Sequence, residues 1–128
     1  DKNDKSIKIV NDQFGSPTSS KALAKQIDRV YQNKLKGIYH ATSEGKCSWY
    51  DFAVACAEEM DMKNLFIPCQ TNEYPTPAKR PNNSVLENSN FKKINENCFT
   101  DWKNELKDFI SSNRDLLIKE LNLSWVEY

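Results

Sequence analysis

The proline-rich stretch from Tyr74 to Leu86 carries the residues best suited to binding chemistry. It holds three of the five prolines of the chain, and each proline fixes φ and favours an extended conformation in the residue before it. A stiff loop of this kind presents Arg80, whose planar fork of donors matches the oxygens of a phosphate or carboxylate. The stretch therefore predicts an anion site. The alternative is a structural crossing loop with two solvated cations, Lys79 and Arg80.

Residues that would catalyse a reaction are scarce. The three glycines are isolated from one another and form no phosphate-binding loop, and no Tyr stands four residues before a Lys. His40 has no Ser or Cys nucleophile motif to pair with, so we interpret it as structural or site-lining. The four cysteines are widely spaced: Cys47, Cys56, Cys69 and Cys98. This spacing predicts free thiols rather than a metal site, and free thiols indicate a reducing compartment, which we expect to be the cytoplasm.

Composition excludes several classes of partner. Lys plus Arg and Asp plus Glu both number 18, so the net charge is zero and no overall field attracts nucleic acid or an anionic membrane. No stretch is apolar enough for a transmembrane span or a secretory signal. The 128 residues suit one domain with a modest core. The chain begins without Met, and we expect it to be a piece of a longer protein.

A strand–turn–helix unit leads the chain. The alternating residues Ser6–Val10 predict a strand. After a polar turn, Ser16 is expected to cap a helix from about Pro17 to Asn33. Its apolar face follows helical spacing: Leu23, Ile27, Val30 and Tyr31.

The turn between that strand and helix, Asn11–Thr18, is rich in polar groups. It places Asp12, Gln13 and Ser16 at the C-terminal edge of a strand. Ligands of open α/β sheets bind at this edge, so these residues are candidates for a binding site.

A second unit of the same kind follows. Gly37–Thr42 is a candidate strand, and Ser48 with Asp51 forms a shortened capping box at the start of a helix. Leu65–Cys69 is a further extended run, which Pro68 is expected to stop. The helix between them has one predicted core face: Trp49, Phe52, Ala53, Cys56 and Met60.

The C-terminal part predicts one more long helix. Phe91 and Ile94 indicate a short helical turn, and a third main helix begins near Thr100. The tail Asn113–Tyr128 is less regular and suggests a docking helix or a partner contact. We therefore divide the chain into a domain over 1–112 and an extension over 113–128. The predicted buried side of the helix is Trp102, Leu106, Phe109, Ile110, Leu117 and Leu121.

Five motifs, in this order, closely resemble the C-terminal part of the dTDP-4-dehydrorhamnose reductase family of extended short-chain dehydrogenases/reductases. The resemblance covers roughly Ile7 to Ile110. The motifs are Asp12-Gln-Phe-Gly-Ser-Pro-Thr18, Gly37-Ile-Tyr-His40, Cys47-Ser-Trp-Tyr-Asp-Phe-Ala53, Tyr74-Pro-Thr-Pro-Ala-Lys-Arg-Pro81 with Asn83-Ser-Val-Leu86, and Asp101-Trp102.

The resemblance implies a function for the intact protein. Members of that family reduce the 4-keto group of dTDP-4-dehydro-L-rhamnose with NADPH or NADH, which gives dTDP-L-rhamnose for cell-surface polysaccharide. Their N-terminal Rossmann half carries the dinucleotide loop and the Tyr/Lys pair, and both are absent from this chain. The resemblance thus implies the substrate-binding portion of an α/β enzyme, with few short strands and about three main helices. Its expected partners are a dTDP-sugar and the missing Rossmann half.

Roles for individual residues follow from the same resemblance. Arg80 is expected to pair with the nucleotide diphosphate, and Lys79 to add charge. Gln13 and the backbone around Gly15 and Ser16 are expected to line the nucleotide side of the cleft, next to a helix N-terminus.

Two pairs of residues keep alternative interpretations. Asn83 and Ser84 either bind the ligand or, as we prefer, brace the loop. Trp49 and Tyr50 invite stacking on the thymine, but Trp49 belongs to an apolar helical stripe, so we favour core packing for it.

A second hypothesis is a non-catalytic interaction module on the same scaffold, similar to the regulatory β subunit of methionine adenosyltransferase. In that case the 113–128 tail would carry the protein contact. Under either hypothesis, strands cut from a larger sheet expose edges and apolar faces. We therefore expect this chain either to form a homo-oligomer or to rearrange into a compact fold.

Overall fold

The protein is described by a computed structural model that covers residues 6–62, 66–73 and 77–124, with side chains described as far as residue 120. It is a mixed α/β structure with three main helices, which confirms the predicted class. The elements in chain order are β1 (Ile7–Val10), β2 (Phe14–Gly15), α1 (Ser20–Gln32), β3 (Cys47–Ser48), α2 (Trp49–Glu59), β4 (Phe66–Cys69), α3 (Ser89–Lys93) and α4 (Trp102–Ser124), with a 3₁₀ turn at Thr71–Glu73.

The strands form two separate two-stranded sheets. β1 and β4 are parallel, with Ile7 opposite Phe66 and Val10 opposite Cys69, whereas β2 and β3 are antiparallel. The expected end of the extended run at Pro68 is wrong, because the strand continues through it to Cys69. A proline fits here since β4 is an edge strand, where one N–H needs no partner in the sheet.

Helix α1 begins later than predicted. Its N-cap is Ser19, whose Oγ accepts a hydrogen bond from the N–H of Ala22, so the expected cap at Ser16 is wrong. The buried carboxylate of Glu105 on α4 accepts hydrogen bonds from both the N–H and Oγ of Ser19. This contact selects Ser19 among several nearby hydroxyl residues that suit a cap.

The buried side of α1 is polar rather than apolar. Gln26 is 1% exposed; its side chain donates to the carbonyl of Glu96 and accepts from the N–H of Cys98. Of the predicted apolar face, Leu23, Ile27 and Tyr31 are exposed. The predicted helix is thus present, and the hydrogen bonds of Gln26 to a distant segment decide which side of it turns toward the rest of the protein.

The predicted strand at Gly37–Thr42 is also wrong, since the structure assigns no strand there and Ile38 is exposed. Tyr39 stacks on Phe91 of α3 with ring centroids 4.6 Å apart. The N–H of Thr42 donates to Asn88 Oδ1 (3.1 Å), and the Thr42 carbonyl accepts from Asn88 Nδ2 (2.7 Å). The side-chain amide of Asn88 thus pairs the main-chain groups of Thr42 that a neighbouring strand would otherwise pair.

The core lies between α2 and α4. The predicted capping box at the start of α2 is confirmed: Ser48 Oγ accepts from the N–H of Asp51, whose carboxylate accepts from the N–H of Ser48. Trp49 does not join this core, since 55% of it is exposed. The core consists of a buried group and the side chains packed on it: Cys47, Trp102, Leu106 and Ile110, with Phe52, Ala55, Cys56, Met60 and Leu117.

Helix α4 is longer and more regular than predicted. It runs without a break from Trp102 to Ser124, across the division we placed at residue 112. The prediction of a less regular tail from Asn113 is therefore wrong for the part that ends at Ser124. Phe109, expected to be buried, is 48% exposed, and the Leu121 side chain lies outside the described residues. The predicted short turn is confirmed as α3. No helix in the described part of the chain combines the length and the hydropathy needed to cross a membrane.

Arg114 on α4 closes the end of α2. Beyond the C-cap Met60, Asp61 has a left-handed φ of 55°, and the N–H of Met62 donates back to the carbonyl of Ala57. This is a Schellman ending without glycine. Arg114 donates to the carbonyl of Glu59 (2.8 Å) and to the Asp61 carboxylate (2.7 Å). Arg114 therefore holds a strained turn and joins two helices.

We expect Arg114→Ala to lower the free energy of unfolding by about 1 kcal/mol, because a charge-assisted contact to a helix end is lost from a partly exposed site. Urea denaturation will report this as a lower midpoint with an unchanged m-value. Asp61→Gly is the matched control: it removes only the exposed carboxylate and relieves the left-handed strain, so stability should not fall. Equal midpoints for Arg114→Ala and the parent would contradict the role.

The Cys47 thiol is buried, and its surroundings favour the protonated form. Burial, followed by the nearby carboxylates of Asp51 and Asp101, raises the pKa of Cys47 to about 11. We expect iodoacetamide at pH 8 to modify Cys47 much more slowly than the partly exposed Cys98 in the native protein, since only the thiolate attacks. Peptide mapping by mass spectrometry, with urea-unfolded protein as reference, measures both rates. Rapid native labelling of Cys47 would contradict this assignment.

Candidate functional site

A cleft of about 400 Å³ lies where β2, β3 and the proline-rich loop meet. We call it the β2–β3 cleft. It brings together residues from three stretches that are far apart in the sequence: Gln13, Phe14, Gly15, Ser16 and Pro17; Cys47, Ser48, Trp49 and Phe52; and Arg80, Pro81 and Ser84.

The main chain of Phe14 fastens the proline-rich loop to the cleft. Its N–H donates to the carbonyl of Asn82 (2.8 Å), and its carbonyl accepts from the N–H (2.9 Å) and Oγ (3.0 Å) of Ser84. A Cβ at Gly15 would stand 3.3 Å from Ser84 Oγ, so glycine permits this close approach. Asn83 Oδ1 accepts from the N–H of Val85 in its own turn, and Asn83 does not line the cleft. The loop is thus braced by Ser84 and stiffened by Asn83.

Arg80 is the cation of the cleft. Its side chain is exposed, and it has no recorded hydrogen bond or ion pair with the residues that the structure describes. No carboxylate stands among the described residues that line the cleft. No acidic side chain of this lining therefore competes with a ligand anion for the guanidinium. Lys79 is exposed as well, but it does not line the cleft. The arrangement presents one forked donor to a concave, partly apolar surface, which suits a phosphate group.

The polar side chains of the turn before α1 are largely engaged by the protein itself. Ser16 Oγ donates to the carbonyl of Gly45 (2.7 Å), and the buried Gln13 donates through Nε2 to Thr71 Oγ1 (3.0 Å). Asp12 accepts from the N–H and Oγ1 of Thr71, and the side-chain bond is the main reason that the pKa of Asp12 is lowered. Asp12 caps the 3₁₀ turn and lies outside the cleft lining, whereas Gln13 and Ser16 line it.

Trp49 forms an exposed wall of the cleft, so the preferred core interpretation is wrong. Because Ser48 is the N-cap, Trp49 is the first residue of α2 and stands at the cleft before the helix enters the core. The capping box was the signal that could have placed it there. Tyr50 points elsewhere, into a groove beside Trp102 at the start of α4. Only one of the two aromatic candidates therefore reaches the cleft.

Two further residues of the site, Phe14 and Phe52, were not chosen as site residues from the sequence. Phe14 and Phe52 add apolar walls, and the Lys46 ammonium lies 5.6 Å from the centre of the Phe14 ring. His40 is exposed and is not part of the cleft lining. Within the described residues, no group of three or more metal-ligating side chains comes together.

Comparison with known proteins gives consistent matches. A family model described as "RmlD substrate binding domain" matches residues 1–114. The chain is 40% identical over 80 residues to the spore coat polysaccharide biosynthesis protein SpsK of Bacillus subtilis, which covers 62% of this chain and 28% of that protein. It is 34% identical over 118 residues to the dTDP-4-dehydrorhamnose reductase of Escherichia coli K12, covering 82% of this chain and 39% of that enzyme.

Solved structures match in shape as well as in sequence. A dTDP-4-dehydrorhamnose reductase from Clostridium acetobutylicum superposes with a TM-score of 0.81 at 40% identity, over 84% of this chain and 39% of that one. The enzyme from Bacillus anthracis, solved in complex with NADP, gives a TM-score of 0.79 at 30% identity, over 83% and 38% of the two chains. The chain therefore spans roughly two fifths or less of the length of these relatives. By the family model and these likenesses together, the chain belongs to the RmlD substrate-binding-domain family.

Proposed function

We propose that this chain is the substrate-binding part of a dTDP-4-dehydrorhamnose reductase and that the β2–β3 cleft takes the dTDP portion of the sugar nucleotide. The observation that carries the proposal is Arg80, an exposed guanidinium on a braced loop, in a cleft whose described lining includes no carboxylate. The names of the relatives support the choice of substrate class.

The cleft offers chemistry for both halves of such a ligand. Arg80 would hold the diphosphate through forked, charge-assisted hydrogen bonds, and Lys79 would add charge from the rim. Trp49 would stack on the thymine, since its exposed indole lines the same cleft. Gln13 and Ser16 would line the nucleotide side of the cleft from the turn before α1. For Ser84 and Asn83 we propose support of the loop that carries Arg80.

The chemical step belongs to residues that this chain does not contain. In the intact enzyme, NADPH or NADH would supply a hydride to C4 of the keto sugar, and a tyrosine would protonate the resulting oxygen. The NADP complex of the Bacillus anthracis relative supports such a cofactor. No loop or Tyr/Lys pair for it is present among the residues of this sequence, so we propose that this chain alone binds the sugar nucleotide and not the cofactor. The free thiols agree with a reducing compartment, for which we propose the cytoplasm.

The cofactor-binding half is also the partner that we propose for the exposed apolar surface. Ile7 on β1 and Ile67 on β4 are 54% and 44% exposed, on a sheet to which the described residues contribute two strands. Two strands rarely stand alone, because so little apolar surface is covered. A homo-oligomer is the other way to cover them. The named relatives favour the reductase over the regulatory-subunit hypothesis.

We expect Arg80→Ala to weaken binding of dTDP by roughly 10- to 100-fold, because charge-assisted hydrogen bonds contribute about 1.5–3 kcal/mol each. Isothermal titration calorimetry on the full chain measures the dissociation constant. The matched control is Lys79→Ala, which removes a neighbouring exposed cation outside the cleft lining and should change affinity only a few-fold. Equal effects of the two substitutions would show that Arg80 has no special position.

Removing the indole of Trp49 should weaken dTDP binding while leaving the fold intact. A stacked aromatic pair contributes about 0.5–1.5 kcal/mol beyond burial, so we expect Trp49→Ala to raise the dissociation constant by roughly two- to tenfold. Trp49→Phe should keep most of the affinity but abolish the quenching of tryptophan fluorescence on titration with dTDP. Tyr50→Ala, which alters the separate groove beside α4, is the control. Full quenching in Trp49→Phe would place the thymine elsewhere.

A further inference from the structure

The segment Thr42–Gly45, which is hydrogen-bonded to the cleft residue Ser16, is fixed at each of its residues by contacts from elsewhere in the chain. Asn88 holds the N–H and the carbonyl of Thr42. The N–H of Glu44 donates to the carbonyl of Thr100 (2.9 Å), and the carbonyl of Glu44 accepts from the N–H of Trp102 (3.0 Å). The carbonyl of Gly45 accepts from Ser16 Oγ. The segment is thus held in place by hydrogen bonds, and one of them comes from Ser16, which lines the cleft.

The hydroxyl of Thr18 connects this support to the cleft. Thr18 Oγ1 accepts from the N–H of Ser43 (2.9 Å) and donates to the carbonyl of Ser16 (3.0 Å). A hydroxyl carries one donor and can accept at the same time, so the single group satisfies two main-chain atoms. Ser43 is 2% exposed, and its N–H would have no water to replace Thr18. Ser16 is consequently held at both ends, at its carbonyl by Thr18 and at its Oγ by Gly45.

We infer that Thr18 is a positioning residue for the dTDP site: it does not line the β2–β3 cleft but sets the place of Ser16, which does. This inference rests on the proposed function for its ligand, whereas the contacts of Thr18 exist without any ligand. Loss of the hydroxyl would leave the buried N–H of Ser43 unpaired and free the carbonyl of Ser16. The lining at Ser16 and Pro17 would then shift relative to Arg80, which lines the same cleft.

The first test needs no ligand. Thr18→Val keeps the shape of the side chain and removes both hydrogen bonds, whereas Thr18→Ser keeps the hydroxyl. Ser111→Ala is the control, because it removes an exposed hydroxyl that donates to a main-chain carbonyl on α4, outside the cleft lining. We expect amide hydrogen exchange at Ser43, followed by NMR, to accelerate tenfold or more in Thr18→Val only. The amide resonances of Ser16 and Gly45 should move in the same variant. Unchanged exchange and unchanged resonances would overturn the inference.

The second test joins Thr18 to binding. We expect Thr18→Val to raise the dissociation constant for dTDP by roughly three- to tenfold, with Thr18→Ser within twofold of the parent. Thr18 holds the carbonyl of Ser16, which Ser16→Ala keeps, so Thr18→Val should weaken binding in that background as well. No loss of affinity in Thr18→Val, or an equal loss in Thr18→Ser, would overturn the inference.

The two proposals fail in different ways. If the parent chain does not bind dTDP, the proposed function fails, and the exchange and resonance measurements still decide whether Thr18 positions Ser16. If the parent binds and Thr18→Val binds equally well, the role of Thr18 fails and the proposed function stands.

Discussion

The cleft depends on the hydrogen bonds that the main chain of Phe14 makes to the proline-rich loop. On one side Phe14 pairs with Ser48 in the small antiparallel sheet, and on the other it bonds to Asn82 and Ser84. Main-chain groups in a partly buried position require such partners, so the contact is strongly favoured wherever the geometry permits it. Gly15 permits it, because a side chain there would press on Ser84. The loop therefore carries Arg80 at a defined place although no helix or long strand supports it.

Buried amide side chains hydrogen-bond main-chain groups that a neighbouring strand would pair in a larger sheet. Gln26 joins α1 to the segment at Glu96 and Cys98, and Asn88 joins α3 to Thr42. A side-chain amide offers the same donor and acceptor as a peptide group, so it can satisfy a stretch of chain that has no neighbouring strand. This explains how a domain with few and short strands keeps its interior main-chain groups paired. Such amides must be satisfied completely, since a buried unpaired polar group is costly.

The electrostatics of the chain are local. With a net charge of zero, no long-range field directs an anion to the cleft. The two other arginines have carboxylate partners, in the pairs Arg29–Glu96 and Arg114–Asp61. Arg80 differs, because it has no such partner among the described residues and faces a concave surface. Selectivity for a phosphate-bearing ligand would thus come from the position of one guanidinium rather than from an excess of positive charge.

The sequence by itself determined the features that depend on neighbours a few residues apart. The capping box of Ser48 and Asp51 and the start of α4 near Thr100 follow from such local rules, whereas residues 74–76 of the proline-rich stretch lie outside the described residues. Gln13, Ser16 and Arg80, chosen from the sequence, do meet in one cleft. The tertiary structure decided which side of each element is buried, as Trp49 shows.

Long-range pairing explains the features that the sequence did not reveal. Thr42 lies in no strand because an amide 46 residues away, that of Asn88, satisfies its main chain. Ser19 rather than Ser16 caps α1 because a carboxylate 86 residues away, that of Glu105, holds it. Hydrophobic periodicity carries no information about such polar contacts, because they form only between segments that the fold has already brought together.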